Sequence, residues 1–407
     1  MTEKKKRERP AFNSKVSEAI GRHYKDVQTK RHLAYTLMSP NPFVEIAYAA
    51  GIQPGFPENY ACICAAKHTS MVYCETAEGE NYTPDICSYC RNNLGYFYGS
   101  GETPPVGGIG EPDLFLLTTC ACTHYFKWWD ALSEIYSKPL VYVNTPRVME
   151  PKSVPDYYLN YAMKEIEGAI ANIENIVGVK ITNDQLSKAV MLSGKIVDYW
   201  KKLLELQKAV PCPINLPDIS NALFVLIVLA GTQQGADLME AIYDETSKRV
   251  AAGKGVLSKE EERHRLLWLN IPFWYNLGIF GYFEERGCVF PFSDYTQYIW
   301  GTTRMDASKP IESLARKALG GELNTSLDDQ IEKMLNDIRD YQIDGVIAHS
   351  NRSCRILSVG IPDAAEIIRA ELNIPVLVLD GDHTDERIYS DANVMNRIDA
   401  FLEMLGK

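Results

Sequence analysis

Apolar positions along this chain fall into two kinds of run. Short, nearly continuous apolar stretches follow polar or proline residues at Asp113-Leu-Phe-Leu-Leu-Thr118, Pro139-Leu-Val-Tyr-Val-Asn144, Asp344-Gly-Val-Ile-Ala-His349 and Pro375-Val-Leu-Val-Leu-Asp380. Their length and lack of alternation predict strands buried on both faces, as in a parallel sheet. Helical spacing separates the members of each pair, through Trp128, Leu132 and Ile135 in the first and through Ile367 and Leu372 in the second. The chain thus contains two copies of one strand–turn–helix–strand unit, and each turn carries a cysteine, Cys122 or Cys354. Ligands of open parallel sheets sit off the carboxyl ends of the strands, where both cysteines are expected.

The remaining pattern fills in around these units. A helix is predicted from near Ser14 past His32, with helical spacing again at Val44–Ala50 and from Glu58 through Cys62, Cys64 and Cys74. Asp85–Tyr98 holds a third candidate, Cys87, near a helix start, and a Gly/Pro-rich break from Gly99 to Gly110 follows. Pro155 to Val250 reads as long helices, such as Asp184–Gln207. Strands are expected at Leu266–Pro272 and Cys288–Pro291, a helix at Leu277–Glu285, and a last helix over Ser390–Leu405 with Ser390 as N-cap. Alternating strands and helices imply two α/β domains with parallel sheets, joined by a helical insert. The boundaries read as 1–34 for an N-terminal helical segment, 35–150 for the first α/β domain, 151–262 for a helical domain and 263–407 for the second α/β domain.

Composition narrows the function classes. At 407 residues two or three domains are expected, and a hydrophobic fraction of 46% can build real cores. A net charge of -11 argues against a nucleic-acid partner, and the one dense basic run, Lys4–Arg7, reads as a solvated tail. The longest apolar run, Ala222–Ala230, is far short of the roughly 20 residues a membrane span needs. The charged N-terminus lacks the apolar stretch of a signal peptide, so a cytoplasmic enzyme is expected. In that setting the ten cysteines read as thiols or ligands before disulfides.

Cys62, Cys64, Cys74, Cys212 and Cys288 read as small buried hydrophobes. Cys87, Cys122 and Cys354 come from separate elements, which suggests a metal centre with one position left open. Zinc is the alternative, because Cys87-x-x-Cys90 with Cys120-x-Cys122 superficially resembles a four-thiolate site. An iron–sulfur cluster is favoured, because two of the cysteines recur in equivalent strand-end units and three thiolates leave one iron open.

These residues resemble a known family. Phe56-Pro-Glu-Asn59, Asp85-Ile-Cys87 with Tyr89 and Arg91-Asn92, Cys122 with Lys127-Trp128, His349-Ser-Asn-Arg-Ser-Cys354 and Asp380-Gly-Asp-His-Thr-Asp-Glu-Arg387 are similar to segments of the 2-hydroxyacyl-CoA dehydratases, relatives of benzoyl-CoA reductase. The resemblance runs over most of the chain and is closer to the alpha-type, substrate-binding subunit. It implies two flavodoxin- or Rossmann-like α/β domains with a helical domain, and a 4Fe–4S cluster held by Cys87, Cys122 and Cys354. It also implies a homologous second (beta-type) subunit, a separate ATP-dependent activator, and dehydration of an acyl-CoA through a ketyl radical.

The family's glutamate beside the open iron falls on Glu58 without gaps; its serine falls on Ser39 if one residue is inserted between Pro42 and Glu58. On residue chemistry alone, Glu58 is also explained as a helix-start carboxylate, and Ser39 as part of a Ser-Pro-Asn-Pro turn. His349, Asn351 and Arg352 are expected either to cap a loop or to contact the cluster sulfurs or the acyl-CoA. Asp380, Asp382, His383 and Asp385 lack calcium-loop spacing and read as a turn or domain interface. No phosphate-binding P-loop is present, so ATP hydrolysis is not expected here. Cys90 and Cys120 depart from the dehydratase pattern and leave the reductase branch open; the rival from another class is a non-catalytic zinc or scaffold protein.

Overall fold

The structure, a computed structural model, describes residues 9–99, 101, 103–119, 121–148, 154–297 and 303–406. The Lys4–Arg7 run and Cys120 lie outside the described residues.

The first α/β unit begins after helix α1 (Phe12–Thr29). It runs through β1 (Leu33–Tyr35), α2 (Phe43–Ala49), β2 (Gln53–Gly55), α3 (Pro57–Ala66), α4 (Ser70–Gly79), α5 (Ser88–Tyr98), β3 (Leu114–Thr118), α6 (Thr123–Tyr136) and β4 (Leu140–Val143). Four helices come next: α7 (Asp156–Val177), α8 (Asn183–Leu206), α9 (Leu216–Val228) and α10 (Gln233–Ala251). The second unit contains β5 (His264–Leu269), α11 (Ile279–Glu284), β6 (Cys288–Ser293), α12 (Asp294–Gln297), α13 (Pro310–Leu319) and α14 (Leu327–Asp340). It ends with β7 (Gly345–Asn351), α15 (Arg355–Ser358), α16 (Ile361–Leu372), β8 (Val376–Gly381) and α17 (Asp391–Leu405).

Each unit builds a four-stranded parallel sheet, in the orders β2-β1-β3-β4 and β6-β5-β7-β8. Both follow the doubly wound 2-1-3-4 order, with a topological switch point between the first and third strands of the unit. The two predicted strand–turn–helix–strand units are therefore the β3–α6–β4 and β7–α16–β8 crossovers. Every residue of β3 is buried, as the apolar run requires of a strand covered on both faces.

Two strands escape the sequence pattern. The first predicted helix ends at Thr29 rather than running past His32, and Leu33–Tyr35 pairs as β1 between β2 and β3. Strand β2 is only Gln53-Pro-Gly55; it lies at a sheet edge, where proline costs no ladder hydrogen bond. The helical stretch expected from Glu58 to Cys74 is broken between α3 and α4, where His68 adopts φ 56°.

The helical segment is pinned at its turns. Thr182 and Gln185 close a reciprocal capping box at the start of α8, and Gly178 ends α7 in a left-handed conformation. Helix α9 is apolar on nearly every side and buried on nearly every side; its core cluster includes residues of both sheet units, among them Phe115, Leu117, Leu266 and Ile347. Helices α4 and α5 approach so closely that a Cβ on Gly95 would stand 1.9 Å from the Tyr73 carbonyl oxygen. This contact sets α5, and with it Cys87, against the rest of the unit. No helix among the described residues is long and apolar enough to cross a membrane.

Candidate functional site

Cys87, Cys122 and Cys354 each occupy the N-cap position of a helix, at the starts of α5, α6 and α15 respectively. Cys122 follows β3 and Cys354 follows β7, so both stand at a switch point of their sheets. The three side chains line one cavity between the two units, together with Ser39, Glu58, Tyr89, Tyr125 and His383. Its apolar wall includes Trp128, Ile271, Leu323 and Leu357. The N-termini of α5 and α6 thus face one space, and each favours negative charge there.

The thiols do not ionise easily in this setting. Burial pushes Cys87 well above the ordinary thiol range, and negative charge on Cys354 and Cys122 would raise it further. Burial, then the neighbouring Cys122, pushes Cys354 up to about 12. Three thiolates in this space therefore need a cationic group to hold them, since a metal deprotonates a coordinating thiol outright. His124, on the same wall, has a buried Nε2 with no hydrogen-bond partner among the described residues. Soft thiol donors and an orphaned ring nitrogen fit a metallocluster. Among the described residues no group of these donors closes tightly enough for a single ion, and Cys90 is buried in α5 and does not line the cavity; Cys120, the fourth thiol of the zinc alternative, lies outside the described residues.

Glu58, in the first turn of α3, is 5% exposed. Its Oε2 accepts the Met38 backbone N–H at 2.7 Å, and its Oε1 accepts the Tyr125 hydroxyl. Burial raises its pKa to about 7, against the two donors that favour its charged form. Tyr125 Oη also lies 3.3 Å from Ser39 Oγ, so Ser39, Tyr125 and Glu58 form one hydrogen-bonded chain. Ser39 follows β1, in a loop shaped by Asn41, whose amide donates to the carbonyls of Leu37 at 2.9 Å and Ser39 at 2.7 Å.

The other sequence candidates separate. Asn351 is buried and contacts both Cys354 and His383, with its Oδ1 accepting the Cys354 N–H at 3.3 Å. His349 is buried behind the cavity, its Nδ1 2.6 Å from the Ile271 carbonyl, and does not line it. Arg352 is largely exposed and paired with Asp380 at 2.6 Å, also away from the lining. Asp382 and Asp385 join the two units: Asp382 accepts from Ser88 at 2.5 Å, and Asp385 pairs with the buried Arg91 at 2.9 Å. Arg91 also pairs with Glu78 at 2.6 Å, and Asn92 donates to Ser70, Ser88 and Thr384. Cys64, Cys74, Cys212 and Cys288 are buried, and all cysteines among the described residues are free thiols.

Tyr125, Tyr89 and His383 line the cavity, although the sequence did not mark them as site residues: Tyr89 entered only as part of a family segment and His383 as a turn or interface residue. Tyr125 stands one residue short of a helical turn past Cys122, a spacing that points it at the same space. Tyr89 accepts the Trp274 indole N–H at 2.6 Å, and its ring meets His383 edge-on at 4.0 Å between centroids. His383 itself lies in the Asp380–Arg387 segment, and only the fold brings it to Cys87.

The fold and the cavity define a class of protein: two doubly wound sheets whose switch points share a thiol-lined centre beside a near-neutral carboxyl. More particularly, this chain belongs to the family described as 2-hydroxyglutaryl-CoA dehydratase, D-component, whose model matches residues 42–405. It is 26% identical to the (R)-phenyllactyl-CoA dehydratase alpha subunit of Clostridium sporogenes, over 89% of this chain and 87% of that protein. It is also 26% identical to the lactoyl-CoA dehydratase alpha subunit of Anaerotignum propionicum, over 89% of this chain and 88% of that one. A benzoyl-CoA reductase subunit of Thauera aromatica is 28% identical over 81% of this chain and 79% of its own length.

Proposed function

We propose that the chain is the iron–sulfur subunit of a cytoplasmic (R)-2-hydroxyacyl-CoA dehydratase, a hydro-lyase that converts a 2-hydroxyacyl-CoA into a 2-enoyl-CoA and water. The observation that carries this reading is the Ser39–Tyr125–Glu58 chain facing three helix-capping cysteines in one cavity. A 4Fe–4S cluster held by Cys87, Cys122 and Cys354, when bound, supplies a one-electron store and an iron with an open position.

The protein's own groups handle the proton. A C–H beta to a thioester is barely acidic, so direct elimination is slow. One electron entering the thioester carbonyl gives a ketyl radical anion, which expels the 2-hydroxyl group. Glu58, with its pKa near 7, can give the leaving oxygen the proton it needs to depart as water. Tyr125 and Ser39 hold that oxygen and connect it to the carboxyl. The radical left behind has a much more acidic beta proton, which the Glu58 carboxylate takes up and so regains the proton it gave; the electron then returns to its donor, and water is removed with no net redox change. Trp128, Ile271, Leu323 and Leu357 keep bulk water from the path.

With no nucleotide loop in the sequence, the electron must come from an ATP-dependent activator, and a homologous second subunit completes the enzyme. The similarity to the Thauera aromatica benzoyl-CoA reductase supports a second reading, ATP-driven reduction of an aromatic acyl-CoA. Anaerobic purification with the partner should give about four iron and four sulfide per chain, and added 2-enoyl-CoA should be hydrated. One zinc without sulfide would overturn the cluster, and aromatic reduction without hydration would assign the chain to the reductase branch.

A further inference from the structure

Around Cys87 and Cys354 runs a buried network that the proton path above does not use. Ser88 and His383 are fully buried, Asn351 and Asp382 are each 2% exposed, and Ser353 is nearly as enclosed. Its hydrogen bonds have a determined direction. Because Asn351 Oδ1 accepts the Cys354 backbone N–H at 3.3 Å, its amide NH₂ faces the His383 ring. That NH₂ lies 2.6 Å from His383 Nδ1, so Nδ1 is the acceptor and the ring proton sits on Nε2. Nε2 stands 2.9 Å from Ser88 Oγ and 3.8 Å from Cys87 Sγ. The Ser88 hydroxyl donates to Asp382 Oδ1 at 2.5 Å, which leaves its lone pairs for the histidine.

Asp382 is held on every side. Its Oδ1 also accepts the backbone N–H groups of Thr384 and Asp385 at 3.0 Å each, and its Oδ2 accepts the Ser353 hydroxyl. Ser353 Oγ in turn accepts the Ser88 N–H at 3.1 Å. One continuous network therefore joins the residue after Cys87, in the first unit, to Asn351 and Ser353, just before Cys354, in the second.

We propose that His383 is a positioning residue whose single Nε2–H, shared between the Ser88 hydroxyl oxygen at 2.9 Å and the Cys87 sulfur at 3.8 Å, acts as a donor to that sulfur, with Asn351 fixing the tautomer and Asp382 anchoring the frame. The inference rests on the reading of Cys87 as a cluster ligand. A donor on a ligating sulfur draws electron density from it and favours the reduced cluster, so His383 raises the reduction potential. Hydrogen bonds to cluster sulfurs are among the settings that spread such potentials widely.

The test uses the anaerobically purified complex with its cluster. Gln places an amide N–H where Nε2 stands, whereas Asn reaches only the Nδ1 position. His383→Gln should therefore keep the reduction potential close to that of the unaltered protein, and His383→Asn should shift it to more negative values at unchanged iron content. Equal potentials in all three proteins would overturn the proposal. Pulsed EPR of the unaltered, reduced protein labelled with ¹⁵N-histidine gives a second readout that needs no variant. A weak, single ¹⁵N coupling is expected, and its absence would overturn the proposal even if both variants failed to assemble. Absence of iron and sulfide from the unaltered protein would instead remove the cluster reading on which the proposal stands.

Discussion

With its carboxyl desolvated and only two donors to compensate, Glu58 should make folding stability depend on pH. Its folded pKa is about 7, against an ordinary value of 4.5. Between those values the folded chain keeps a proton that the unfolded chain has lost, so stability falls as pH rises through this window and levels off above it. Denaturant unfolding across the window should show that loss, and Glu58→Gln should remove this component while sharply lowering turnover. A slope unchanged in Glu58→Gln would place the titrating group elsewhere. Tyr125 belongs to the same unit, and Tyr125→Phe removes the only hydroxyl that joins Ser39 to Glu58. Its loss should cost turnover on the order of the 10²–10⁴-fold that positioned proton transfer contributes, while leaving iron content intact.

At the level of elements, three helix starts carry the candidate ligands, and each should be required separately. Cys87→Ala, Cys122→Ala and Cys354→Ala should each lose iron, whereas Cys288→Ala, at the start of β6, and Cys212→Ala, packed against Leu257 and Val289, should keep it. Loss with Cys120→Ala but not Cys122→Ala would shift the ligand by two residues. The Cys122 and Cys354 turns were legible because β3 and β7 are central strands, whose two-sided burial leaves continuous apolar runs. Strands β1 and β2 were not, since three residues cannot display a period and Gln53-Pro-Gly55 has no strand composition. Glu58 and Ser39 were legible only through resemblance. Tyr125 and His383 owe their roles to partners far away in sequence, which no local spacing displays. The same long-range logic governs Arg91, whose guanidinium is buried between Glu78 of α4 and Asp385 of the second unit. Arg91→Ala should cost roughly 1–3 kcal/mol in unfolding free energy, because Glu78 and Asp385 lose a buried charged donor but keep Arg387. A loss under 1 kcal/mol would mean that Arg91 adds little to the join between the two units.

For the molecule as a whole, the proposed function puts proton handling in this chain and leaves the electron to an activator, as no P-loop pattern stands in the sequence. Purified alone with its cluster, it should not turn over any 2-hydroxyacyl-CoA; activity should appear when second subunit, activator and ATP are added, and disappear on exposure to air. Turnover by the single chain without ATP would refute the division of labour.

The three candidate ligands also come from opposite ends of the polypeptide, and this has a consequence for biosynthesis. Cys87 and Cys122 leave the ribosome together, while Cys354 follows after the whole helical segment and most of the second sheet have been made. At roughly 5–20 residues per second, the interval is on the order of ten to fifty seconds. Throughout that interval a nascent chain displays two thiols of an unfinished centre, with neither the third thiol nor the Asn351–His383 frame to enclose them. On the proposed reading, a complete set of ligands exists only once Cys354 has been made, so across that interval the nascent chain carries a half-built, oxidant-sensitive site.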